Sequence, residues 1–481
     1  MRISFVNSLL GGDFSALDIA LTSLATYLNE RTSHRASIID LAFHRYNWKR
    51  HLREGIKKYK PDIIGISSNT MYMQYVKTIA KEIKKGYGLP IIMGGHHASI
   101  HPADTLSLDE CDIVCIGDGE TPLAQMLDRL EKNGSLEGVD GVWFKKQGTI
   151  IKNRGGCFRE NLDNLPVCNW DLWEDLDKYF YYLGMLYLIG SRGCPYQCTY
   201  CDAYGIAKAV TGKYFRLKNP KLYAEELAIN WGKYKHRNLR LAQLFDPVFT
   251  MDDQWVNEFC AAYRATGVHE QFRFSVFSRI DHLHEEKIKT LARSGCALLR
   301  VGIEAGDPFI RNEVYKKHIS NGQIKDIFRL AKENGIGFTA FYILGGPAET
   351  VKTCEATIRL ARDLDAQRSA FFVFKPFTEE SVKQLVQYGG WIDTKLWDKA
   401  DNITFDAVVH TKDLNPAKVN FLQKKAYFFT FGKRLLRMIA RQKIKYFTRL
   451  FIYMFRGLLD GLNYSYLLVY YHIYGYDNID K

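Results

Sequence analysis

The chain has 481 residues, 47% of them hydrophobic and 25% charged, and a formal net charge of +13. These proportions exclude a disordered or collagen-like chain. The length allows about three domains with a large core and no need of disulfide staples. No apolar run reaches the ~18 residues of a membrane span, and the N-terminal MRISFVNSLLGGDF reads as a first strand, not a signal peptide.

Residues 1–140 alternate strand and helix. ISFVNSL, ASIIDLA, DIIGISS, LPIIMGG and CDIVCIG read as strands. Ala16 to Arg31 places Ile19, Leu21, Leu24, Ala25 and Leu28 near helical spacing, a basic helix ends near Lys60, and Val76–Lys85 and Pro122–Lys132 are helical. This order predicts an α/β, doubly wound Rossmann-like domain with a parallel sheet. Residues 141–180 read as a linker with a short hairpin, GVWFKKQGTIIKN. Across 181–384 the alternation resumes with MLYLIGS, LRLAQLF, FRFSVFS, ALLRVGIE, GFTAFYIL and SAFFVF, which predicts a partial (β/α)6, TIM-like barrel. Residues 385–481 form a helical region rich in Tyr, Phe and basic residues.

Seven of the ten cysteines are scattered. The other three form Cys194-x3-Cys198-x2-Cys201, directly after the apolar strand LYLIGSRG. Clustered cysteines in a cytosol-like chain point to metal or redox chemistry. A zinc site would need a fourth Cys or His, and none is evident nearby in sequence. Three thiolates suit a [4Fe–4S] cluster with one iron left open.

This motif and its position after a first barrel strand resemble the radical S-adenosylmethionine (SAM) superfamily. The resemblance implies that Cys194, Cys198 and Cys201 ligate the cluster and that Tyr200 lies beside the adenine. LFDPVFTMD, with Asp246 at a strand end, resembles the family's second strand. Ser278 and Arg279 in SVFSRIDHL would meet the SAM carboxylate, an Arg fork being suited to that group. Glu304 in VGIEAG would bind the SAM ribose or amino group, since a Glu in an apolar strand must be satisfied. Gly345 in ILGGPAET would permit close backbone approach.

The loops ISSNT, MGGHHASIHP and GDGETP should meet at the carboxyl edge of the first sheet, where such folds hold ligands. No G-x-G-x-x-G fingerprint occurs, which disfavours NAD or FAD. In order and spacing these loops resemble the cobalamin-binding domain that precedes one large group of radical SAM cores. The resemblance covers about residues 1–380. It implies corrinoid contacts from Ser68, Thr70, Gly94, Gly95, His96, Gly117, Gly119 and Glu120. The Asp-x-His-x-x-Gly signature is absent, so neither His96 nor His97 is expected to ligate cobalt.

The implied activity is reductive cleavage of SAM at the cluster, followed by methylation of an unactivated carbon of a small-molecule or lipid-like substrate. Oxidative cyclisation and ring rearrangement are the alternatives within the same architecture. A non-catalytic cobalamin or Fe–S sensor is the alternative from another class. The resemblance also implies a one-electron donor such as flavodoxin or ferredoxin and a cytoplasmic location. No catalytic proton-handling residue is legible. Thirteen Lys/Arg against four Asp/Glu lie between Lys412 and Lys481, so most of the net charge sits in the tail. Arg434, Arg437, Arg441, Lys445, Arg449 and Arg456 form one helical stripe. Such a stripe usually faces water; its sharper reading is peripheral membrane contact. No separate nucleic-acid module is present in the pattern.

Overall fold

The computed structural model describes residues 1–10, 17–400 and 405–440, together with 452, 455, 456 and 458–460. The chain divides into two compact units. The first comprises Met1–Gly184, Gly205–Lys218 and Tyr453–Leu468; the second comprises Met185–Tyr204, Asn219–Ile452 and Val469–Lys481. Of the expected basic stripe, the side chains from Arg434 to Arg449 lie outside the described residues, as does Ala16 at the expected start of the first helix.

The first unit is built on a seven-stranded sheet. Its strands are β1 (Arg2–Asn7), β2 (Arg35–Asp40), β3 (Ile63–Ser67), β4 (Ile91–Gly94), β5 (Ile113–Cys115), β6 (Val142–Lys146) and β7 (Thr149–Lys152), in the order β2-β1-β3-β4-β5-β6-β7. The first five are parallel. The order reverses between β1 and β3, the switch point of a doubly wound sheet. The first helix runs Ile19–Arg31, three residues later than the periodicity suggests, because the Asp18 carboxylate accepts the Leu21 N–H at 3.0 Å and caps it there. The hairpin expected within a linker instead extends the sheet: β6 pairs antiparallel with β5 and β7 with β6. The alternation of VWFKK explains this, since Val142 and Phe144 turn inward and are buried.

The second unit holds the six parallel strands expected of a partial barrel. These are β8 (Met185–Leu188), β9 (Leu241–Leu244), β10 (Arg273–Ser278), β11 (Cys296–Glu304), β12 (Gly337–Leu344) and β13 (Arg368–Val373), lying side by side in chain order. Helices Pro220–Tyr234, Asp253–Ala265, Glu285–Arg293, Asn321–Glu333 and Val351–Leu364 connect them, each opened by a side-chain cap from Asn219, Asp252, His284, Ser320 or Thr350. The helix Pro416–Ala440 packs its buried Val419, Leu422 and Ala426 against this unit. Gln423 Nε2 donates to the Phe371 carbonyl at 2.7 Å, and the Tyr427 hydroxyl accepts the Phe371 N–H at 3.1 Å. No helix among the described residues is long and apolar enough to cross a membrane.

Candidate active site

The cysteine loop leaves the carboxyl end of β8, where parallel barrels carry their chemistry. A buried carboxylate fixes its approach. Asp246, just beyond β9, accepts the Gly190 N–H at 2.9 Å and the Tyr223 hydroxyl at 2.8 Å. Burial pushes the Asp246 carboxyl up to about 6. Within the loop, Thr199 Oγ1 donates to the Val314 carbonyl at 2.8 Å, and Cys201 N–H closes a turn onto the Cys198 carbonyl at 3.1 Å. Cys198 is buried, while Cys194 and Cys201 are partly exposed.

Positive charge gathers on the sulfur side of this loop. Arg279, immediately after β10, lies with Nη1 3.5 Å from Cys198 Sγ. Its other edge is held by Asp281, through Nε at 3.0 Å and Nη2 at 2.8 Å, and Nη2 also donates to the Lys317 carbonyl at 2.8 Å. The guanidinium stacks 3.6 Å over the Tyr196 ring. Burial raises the Cys194 thiol above its ordinary range, and the Tyr196 backbone bond, Arg279 and Lys317 offset part of that rise. Cys201 is raised by burial and then by neighbouring Asp202.

At the end of β11 the strand is irregular, its register slipping between Gly302 and Glu304. Glu304 has φ 67°, a left-handed conformation rare for a residue with a side chain. Its carboxylate accepts from Lys317 Nζ at 3.0 Å and from the Tyr200 hydroxyl at 2.8 Å, and Lys317 Nζ reaches that hydroxyl at 3.1 Å. Both charged side chains are only 7% exposed. Burial, then the Glu304 charge, lifts the Tyr200 hydroxyl well above its ordinary range. A strained backbone feeding a buried ion pair is the arrangement found where a site is preorganised.

The second unit thus brings Cys198, Arg279, Tyr200 and Glu304 into one connected set. Ser278 stands slightly apart, its hydroxyl 2.5 Å from Thr250 Oγ1. At Gly345 the space of a missing Cβ is taken by Val419, 2.8 Å away. Three residues that hold this set in place escape sequence reasoning. Asp281 carries a readable signal, an acid two residues after the Arg; Lys317 and Tyr196 carry none.

In the first unit, Ser68, Gly94 and Gly95 cluster at the carboxyl edge of β3 and β4. Ser68 Oγ donates to the Gly94 carbonyl at 2.7 Å, and the Ser68 carbonyl accepts the His97 N–H at 3.1 Å. Gly95 has φ 93°, and a Cβ there would meet the Ser68 carbonyl at 2.7 Å, so only glycine fits. Thr70 bonds His97 Nδ1 at 2.9 Å, leaving neighbouring His96 exposed. Burial, then His101, pulls His97 down to about 4, so its ring is neutral near pH 7. The Gly117 N–H donates to Ser99 Oγ at 3.0 Å. Gly119 opens the helix Glu120–Glu131, and Glu120 turns inward, buried, accepting from Ser23 at 3.2 Å.

Among the described residues no three His, Cys, Asp or Glu side chains form a ready-made site for a single metal ion. The donor chemistry instead suits a cluster. Three thiols on one anchored loop, faced by a fixed guanidinium, can carry the negative charge of a thiolate-ligated group.

Comparison with known proteins bears on both units. A B12 binding domain model matches residues 10–127, and a radical SAM superfamily model matches residues 188–361. An uncharacterized methyltransferase of Pyrococcus horikoshii is 28% identical over 391 residues, covering 80% of this chain and 82% of its own length. The anaerobic magnesium-protoporphyrin IX monomethyl ester cyclase of Synechocystis is 29% identical over 257 residues; the match covers 52% of this chain and 48% of the cyclase. Among solved structures, the radical SAM methyltransferase TsrM of Kitasatospora setae, with cobalamin and a [4Fe–4S] cluster bound, superposes with TM-score 0.66. It is 18% identical, over 84% of this chain and 81% of that one, a likeness of fold. With a thiol triplet on one parallel sheet and a doubly wound sheet before it, each matched by its own family model, this chain carries a B12-binding domain followed by a radical SAM domain.

Proposed function

We propose that this protein methylates an unactivated carbon of a small-molecule or lipid-like substrate, using SAM, a [4Fe–4S] cluster and cobalamin. When bound, the cluster supplies the electron that cleaves SAM and the corrinoid serves as methyl carrier. The residues divide the remaining work. Cys194, Cys198 and Cys201 hold the cluster. Arg279, fixed by Asp281 and Tyr196, faces its sulfur side. Glu304 and Lys317 hold Tyr200 at the loop, where the amino, ribose and adenine groups of SAM would be received, and Ser278 and Gly345 line the same strand ends. In the first unit, the Ser68–Gly95 edge with Thr70, His96, Gly117 and Gly119 would receive the corrinoid, while Glu120, turned inward onto Ser23, would brace that edge from within.

The observation that carries this reading is the Arg279–Cys198 approach beside the Tyr200–Glu304–Lys317 set, in a chain that also has a B12-binding domain. The Pyrococcus relative, named a methyltransferase, matches over most of both chains and supports methyl transfer over the cyclase reaction. A one-electron donor such as flavodoxin or ferredoxin completes the scheme. The test is anaerobic reconstitution with SAM and cobalamin under reducing conditions, followed by product assay. S-adenosylhomocysteine together with 5′-deoxyadenosine supports methylation. Deoxyadenosine alone favours cyclisation or rearrangement, and neither product, with tight cobalamin uptake, favours a sensor.

A further inference from the structure

The helices Val351–Leu364 and Pro416–Ala440 leave a shallow groove of 220 Å³ on the outside of the second unit, lined by Glu355, Ile358, Arg359, Arg362, Lys425 and Phe429. The inner face of the long helix is committed: Val419, Leu422 and Ala426 are buried, and Gln423 and Tyr427 bond the backbone of Phe371. Its outer face therefore has a fixed orientation. On that face Phe421 is 60% exposed and Phe428 72% exposed. They lie seven residues apart, or about 10 Å along the axis. Lys418 sits 5.8 Å over the Phe421 ring, and exposed Lys424 lies between the two aromatic side chains.

Cations outnumber carboxylates around the groove, and both carboxylates there are paired. Glu355 is paired with Lys425 at 2.7 Å and also feels Arg359 and Lys418, which hold its carboxyl below the usual range. Asp363 lies 3.6 Å from Arg362. Beyond the groove, the sequence from Lys418 to Leu459 holds eleven Lys/Arg and no Asp or Glu. Large apolar side chains presented to water among cations are the pattern of an interfacial helix. The rings enter the headgroup boundary and the cations meet anionic lipid. A strand of nucleic acid would need a continuous cationic track with stacking rings. Here Glu355 sits in the groove, and the rings stand two helical turns apart.

We propose that this face of the second unit docks on an anionic lipid bilayer, with Phe421 and Phe428 as anchors and Arg359, Arg362, Lys418 and Lys424 as headgroup contacts. The proposal stands apart from the catalytic reading, since none of these residues belongs to the site described above.

The test is co-sedimentation of the full-length, reconstituted protein with vesicles of phosphatidylcholine alone or with about 30% phosphatidylglycerol. The protein should pellet with the anionic vesicles at least tenfold more strongly than with neutral ones, and raised salt should weaken the binding. Phe421→Ser with Phe428→Ser should weaken it about tenfold, as should Arg359→Glu with Arg362→Glu. These substitutions lie on solvent-facing positions, and circular dichroism of each variant checks the fold. Cleavage of SAM to 5′-deoxyadenosine should be unchanged in both, which separates failure of docking from failure of the catalytic assignment. Equal binding to neutral and anionic vesicles, or full binding by the Phe double variant, overturns the proposal. So does a preference for single-stranded RNA that outcompetes the vesicles.

Discussion

A side chain at position 302 would place its first carbon 2.0 Å from Glu304 Oε1 and 2.9 Å from Lys317 Nζ. Glycine there leaves room for the buried ion pair beside the cysteine loop, at the strand end where the register slips and Glu304 turns left-handed. Gly302→Ala should push the Glu304 carboxylate off Lys317 and Tyr200. We expect SAM affinity to fall at least tenfold by equilibrium dialysis. Stability should drop by about 1–3 kcal/mol, the range for a group forced into a filled site. Near-wild-type affinity in a folded Gly302→Ala protein would show that the pair does not serve SAM. Glu304 was legible in the sequence because a carboxylate in an apolar strand demands a partner. The partner itself was not, because Lys317 comes from a turn with positive φ at Lys316 and His318 on either side, and no periodicity points to it.

At the scale of elements, the cysteine loop is held from outside its own sequence. Asp246 ties the backbone at Gly190 to the helix Pro220–Tyr234 through Tyr223. Replacing Asp246 with Ala strands a buried amide and a buried hydroxyl, each worth about 1–3 kcal/mol. Asp246→Ala should therefore lower the stability of the barrel by about 2–6 kcal/mol in urea titrations, and should reduce the iron bound per chain after reconstitution. Undiminished iron content in a destabilised Asp246→Ala chain would confine its role to the fold. The strands of both sheets could be read from the sequence because parallel strands buried on both faces appear as short apolar runs. The hairpin was also visible, but not its place in the first sheet, since pairing with β5 is a long-range choice that local alternation does not encode. The loops at the first sheet's edge were legible as a group. Glu120 was read there as a corrinoid contact, whereas its inward turn onto Ser23 depends on how the helix Glu120–Glu131 packs.

Across the whole molecule, several buried carboxyls sit above their ordinary range, among them Asp40 at about 6 in the first unit, and Asp246 at about 6 and Glu349 at about 7 in the second. Burial is the leading cause in each. A carboxyl raised in the folded state binds its proton more tightly there than when unfolded. Its contribution is fully present below the unfolded value and is lost as pH rises through the folded one. For Glu349, raised from 4.5 to about 7, the loss above neutrality is on the order of 3 kcal/mol. Its Oε2 accepts the Gly346 N–H at 2.9 Å, a bond that the amide oxygen of glutamine can replace. Glu349→Gln should accordingly flatten the fall in unfolding free energy between about pH 4.5 and 7, measured by urea titration at each pH. An unchanged slope would place the proton elsewhere.

The two bonds from Gln423 and Tyr427 to Phe371 also bear on how this chain behaves in company. β13 is the last strand of an open sheet, and an uncovered strand of that kind is a template for another chain. The long helix lies over that rim and occupies one of its peptide units. A protein cut short before Gln423 would lose more than a surface for lipid: it would bare a sticky margin, and light scattering should then show self-association that grows with concentration.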